Sequence, residues 1–77
     1  MKPDFELINL EIGGIAIKDM TAITFLGWVA RQLNGIEGAS PARNELVLLV
    51  SRPPLGQLPL EEKVAIIRKL EKLGIVI

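Results

Sequence analysis

Residues 40–54, "SPARNELVLLVSRPP", decide the fold, because they read either as a helix or as a strand. Leu46-Val47-Leu48-Leu49-Val50 is an unbroken apolar run of strand length, and periodicity does not assign such a run. Just upstream, Ser40-Pro41 has the form of an N-cap followed by proline at the first helical position, where a missing N–H is no loss. The cap supplies a mechanism for starting a helix, so a helix is expected here. Read as a strand, the run would add a member to a sheet and leave two helices. Pro53-Pro54 ends either element, since neither residue donates a backbone hydrogen bond.

Upstream lies residues 5–19, "FELINLEIGGIAIKD". Gly13-Gly14 suits a two-residue type I′ or II′ turn, which places Ile12 opposite Ile15 and Leu10 opposite Ile17. Ile8 extends that apolar side, while Asn9, Glu11, Ala16 and Lys18 take the other. The pattern predicts a half-buried β-hairpin. Phe5 and Leu7 fall on the polar side, so the first strand is expected to bulge or to cover something there.

Between these stretches, residues 19–35 read as a helix. Asp19 is the expected N-cap and Asn34-Gly35 the expected left-handed stop, with Ile36 packing back. Ala22, Leu26, Val29, Ala30 and Leu33 form its apolar stripe, and Phe25 and Trp28 widen it. That is more apolar surface than one sheet face covers, so a further helix or a further chain is expected against it.

A last helix is expected over residues 59–73, with Leu60, Val64, Ile67 and Leu70 on one face and Ile66 and Leu73 at its margins. Glu61 and Glu62 in the first turn and Lys69 and Lys72 in the last complement the helix dipole. Gly74 stops it, and Ile75-Val76-Ile77 follow as a short strand. That strand would close a small sheet with the hairpin, or add to a sheet in another chain. The expected architecture is therefore one α+β domain over residues 1–77: an N-terminal hairpin, two to three helices and a short C-terminal strand.

With 77 residues, a single core is barely sufficient, and small domains commonly add a disulfide, a metal or a partner. There is no cysteine and no histidine, which removes disulfides and the usual zinc sites. Apolar residues reach 49% before glycine is counted, so surplus apolar surface is expected at an interface. Nine basic residues balance nine acidic ones, and nothing suggests a general grip on nucleic acid or anionic lipid. The longest uncharged run, residues 20–30, is too short to span a bilayer. No secretory leader is read, and the lack of cysteine fits a cytoplasmic protein.

Enzymatic constellations are missing. Without His or Cys, the common nucleophile–base pairs cannot be built. The serines and threonines have capping or turn explanations, and no motif positions Lys63 to activate any of them. Adjacent Glu61 and Glu62 point about 100° apart on a helix and do not converge on one substrate. No phosphate-loop glycine pattern occurs. Catalysis, a cofactor and a small-molecule substrate are not expected.

"VAIIRKLEKLGIVI", residues 64–77, resembles the second half of a winged helix-turn-helix domain, in which a basic helix ends in Leu-Gly and enters a wing strand. The resemblance implies a nucleic-acid-binding regulator that uses Arg68, Lys69 and Lys72. Against it, the stretch ends where the wing should begin, and Glu61 and Glu62 stand where phosphates would approach. The reading preferred here is a non-catalytic interaction or assembly module, an adaptor or homo-oligomer that self-associates or docks on a larger protein. Its expected contacts are Phe25 and Trp28, joined by Leu55, Leu58, Ile75, Val76 and Ile77. A third reading is an accessory subunit that completes an enzyme's site.

Overall fold

The computed structural model describes residues 4–38, 40–52 and 56–75. In chain order these form helix α1 (Asp4–Ile8), strands β1 (Glu11–Ile12) and β2 (Ile15–Ala16), a 3-10 turn (Ile17–Asp19), and helices α2 (Ala22–Asn34), α3 (Pro41–Ser51) and α4 (Leu60–Lys72). The chain is an α+β fold of four helices and one antiparallel hairpin among the described residues.

The ambiguous stretch is resolved in favour of the helix over Pro41–Ser51. The Ser40 hydroxyl accepts the Arg43 N–H at 3.2 Å, and Pro41 opens α3. The apolar run then winds around the cylinder, burying Leu46 and leaving Leu48 exposed. α3 packs on α2, so the broad apolar arc of α2 is covered within the chain.

The hairpin keeps its expected turn and register but is shorter than expected. Gly13 and Gly14 adopt φ values of 61° and 82°, the left-handed pair of a type I′ turn, with Ile12 opposite Ile15. The Ile17 N–H donates to the Leu10 carbonyl at 2.9 Å, extending the pairing one step. The expected strand over residues 5–10 is instead mostly α1. Leu7 is the reason: a helical turn seats it fully buried, and α1 packs on α4. The Asn9 side chain closes this turn by donating to the Phe5 carbonyl at 2.8 Å.

The boundaries of α2 differ too. Thr21, not Asp19, is the N-cap, its hydroxyl accepting the Thr24 N–H at 3.2 Å, and Asp19 lies in the 3-10 turn. At the other end Gly35 has φ −86°, a right-handed conformation rather than the expected left-handed one. α4 runs as expected and ends in a Schellman motif: Gly74 takes φ 97°, its N–H donates to the Glu71 carbonyl, and the Ile75 N–H to the Leu70 carbonyl. Ile75 packs against the core in this cap and is in no strand, while residues 76–77 lie outside the described residues.

Ser40→Ala and Gly74→Ala are each expected to destabilise the fold by about 1 kcal/mol, the first by orphaning the Arg43 N–H, the second by forcing a side chain into a left-handed backbone. Urea unfolding followed by circular dichroism measures both. An unchanged midpoint for Ser40→Ala would mean that α3 does not depend on its cap.

Candidate interaction surface

Among the described residues, the expected contacts Phe25, Trp28, Leu58 and Ile75 do not form one exposed patch. Phe25 is 0% exposed and Leu58 is buried, so both belong to the core. Trp28 is half-buried, its ring centroid 5.9 Å from that of Phe25, and packs on the core from its margin. Ile75 is half-buried in the α4 cap. Leu55, Val76 and Ile77 lie outside the described residues.

Among the described residues the exposed large apolar side chains are Phe5, Ile8, Ile15, Ile23 and Leu48, and two of them share α1. An isolated five-residue helix has too few hydrogen bonds to hold itself, so α1 depends on the burial of Leu7. Turning Leu7 inward turns Phe5 and Ile8 outward, and they remain 65% and 40% exposed. Phe5 and Ile8 are three residues apart and neighbours on the helix surface. Between α1 and α4, Ile8, Leu60, Glu61 and Val64 line a cleft of about 290 Å³. Phe5, Glu6, Asn9, Leu10 and Glu11 line a second, open recess of about 460 Å³. Leu60 and Val64 sit at the edge of the buried arc of α4, which is centred on Lys63, Ile66, Ile67 and Leu70.

Lys63 was not singled out as a buried residue by its sequence context, yet it is 2% exposed. Its ammonium donates to the Ile17 carbonyl and, at 2.6 Å, to the Met20 carbonyl, and lies 5.9 Å from the Phe25 ring centroid. The signal was its place on the wheel, between Ile67 and Leu70. Beside it, Lys18, Asp19, Met20, Thr21, Gln57 and Leu58 complete the lining of a recess of about 240 Å³. Burial lowers the Lys63 pKa below its ordinary 10.5, and the nearby Asp19 carboxylate partly opposes the shift. The amine is committed to two main-chain carbonyls, which makes it a clasp between α4 and the 3-10 turn.

The basic residues of α4 are largely engaged. Arg68 is half-buried and pairs with Glu71 at 3.4 Å, and Lys69 lies 3.7 Å from Glu45 of α3. Lys72 is exposed. Among the described residues, no three His, Cys, Asp or Glu side chains converge as a metal site, and no helix is long and apolar enough to cross a membrane. No family model, curated protein or solved structure matches this chain.

Lys63→Met is expected to destabilise the fold by about 1–3 kcal/mol, because two carbonyls lose a buried donor. The loss should grow with pH. A lysine whose folded pKa is lowered binds fewer protons in the folded than in the unfolded chain, so wild-type stability rises with pH from that lowered value up to the ordinary 10.5. Below that window the burial cost is fully present. Urea unfolding of wild type and variant at about pH 8 and at pH 10.5 reads the difference; an equal loss at both would refute the lowered pKa.

Proposed function

We propose that this chain is a non-catalytic association module, and that its docking face is the surface of α1 with the adjoining edge of α4. The observation that carries the reading is the exposure of Phe5 and Ile8, at 65% and 40%, beside a cleft walled by Leu60 and Val64. Large exposed apolar side chains are ordinary when scattered, as Ile23 and Leu48 are on α2 and α3. Phe5 and Ile8 are instead neighbours on one helix, Ile8 opening on the apolar cleft and Phe5 on the adjacent recess, a grouping of the kind that interaction sites take. An aromatic ring next to a partly formed pocket is also the arrangement of an interface anchor.

The nucleic-acid reading has less support. A phosphate-binding face needs several cations free to meet the backbone, whereas Arg68 and Lys69 are spent on Glu71 and Glu45.

The test is the size of the labelled chain by sedimentation velocity, alone and in an extract of the cells that make it. A species larger than the 8.4 kDa monomer is expected in at least one of the two. Phe5→Ser with Ile8→Ser should abolish it at a stability cost of about 1–2 kcal/mol, since Phe5 is mostly exposed and Ile8 partly buried. Ile23→Ser, exposed on α2, should leave it intact. A monomer in both settings, or assembly that survives the double substitution, would overturn the reading.

A further inference from the structure

Lys63 is as unusual in its charge as in its burial. A buried ammonium is ordinarily met by a carboxylate, because neutral acceptors replace its hydration only in part. At 2% exposure, Lys63 donates to the carbonyls of Ile17 and Met20 and forms no ion pair among the described residues. Asp19 acts on it through space, too far off for a salt bridge, and burial still wins over that attraction. An ammonium has three N–H groups, and the two carbonyls take two of them.

The same side chain lines the recess of about 240 Å³ between the 3-10 turn and the start of α4. Two other donors share that lining. Lys18 is exposed and in no ion pair among the described residues, and the Gln57 amide is in no hydrogen bond among them. The Thr21 hydroxyl is spent on Thr24. The lining therefore sets two cations and an amide donor against one carboxylate, that of Asp19. This balance favours one negative charge and disfavours a second, which would face Asp19.

We propose that this recess binds a small monocarboxylate, whose oxygens take the third N–H of Lys63, the Lys18 ammonium and the Gln57 amide. The volume is that of about eight water molecules, so the ligand is an organic acid of a few carbons. Its charge supplies the counter-ion that the carbonyls of Ile17 and Met20 cannot. The recess shares no lining residue with the cleft beside α1, so the site is independent of the association reading.

The experiment is a titration of the isotope-labelled full chain with glycolate, followed by amide chemical shifts, against neutral glycolamide and against sodium chloride at equal ionic strength. Glycolate is expected to give saturating shifts over residues 17–21 and 57–63, and the two controls should not. Lys18→Gln, at an exposed position, should weaken glycolate about three-fold or more, and Asp19→Asn should tighten it. Bound glycolate should also move the Lys63 pKa back up toward its ordinary 10.5, read from the Cε resonance. Shifts that never saturate, equal shifts with glycolamide, or an affinity untouched by Lys18→Gln would overturn the proposal. Saturable binding that leaves the Lys63 titration unmoved would place the anion on Lys18 alone and overturn it as well.

Discussion

The Lys63 ammonium ties the two halves of the chain together. Its acceptors, the carbonyls of Ile17 and Met20, lie 46 and 43 residues away and belong to the turn between hairpin and α2. That turn is short and 3-10 in form: the Ile17 carbonyl accepts the Met20 N–H at 3.1 Å, and Met20 ends the turn. A buried Met20 carbonyl left without a donor would carry a substantial penalty. A lysine reaching from α4 satisfies both at once, and the Phe25 ring below it adds a polarisable floor. The ammonium pays for this in lost hydration, which is why its proton is held less firmly than usual.

The clasp also sets the rotation of α4. With Lys63, Ile66, Ile67 and Leu70 turned inward, Leu60 and Val64 come to the edge of the buried arc instead of its centre. α1 packs against α4, with Leu7 inside and Phe5 and Ile8 outside. On the other side, Lys69 reaches Glu45 of α3. The open cleft is therefore a consequence of how the core is clamped: moving Leu60 and Val64 fully inside would pull Lys63 off its carbonyls.

Helices α2, α3 and α4, the turn and the register were legible because each has a local chemical signature. Ser40-Pro41 announced α3, Gly13-Gly14 announced the hairpin, and Gly74 announced the end of α4. What was not legible depended on competition between similar local signals. Asp19 and Thr21 are both good caps, and the 3-10 turn that delivers carbonyls to Lys63 decides for Thr21. Residues 5–10 alternate well enough to suggest a strand, but Phe5 and Leu7 on the polar side were the mark of a different period. Leu7 settles the matter through a contact with α4 that no local window contains. Lys63 was overlooked for the opposite reason: its residue type argued for the surface while its wheel position argued for the core, and position won. For the site, the apolar surplus was legible and its place was not. Phe25 went into the core beneath Lys63 and Trp28 to its margin, while α3, whose own reading was the open question, packed on α2.

That redistribution gives the exposed ring of Phe5 its meaning. Phenylalanine is a middling helix former, and a side chain at 65% exposure recovers little of the free energy that burying it would yield. Neither local propensity nor the core therefore accounts for Phe5 in a helix too short to hold itself. Ile75 shows how this chain treats an apolar residue it can use, by folding it back across a helix cap onto the core. Phe5 has no such route, because the turn that buries Leu7 points it away. A large ring held outward on an anchored helix does little for the fold, and the proposed docking face is the place where it would be covered.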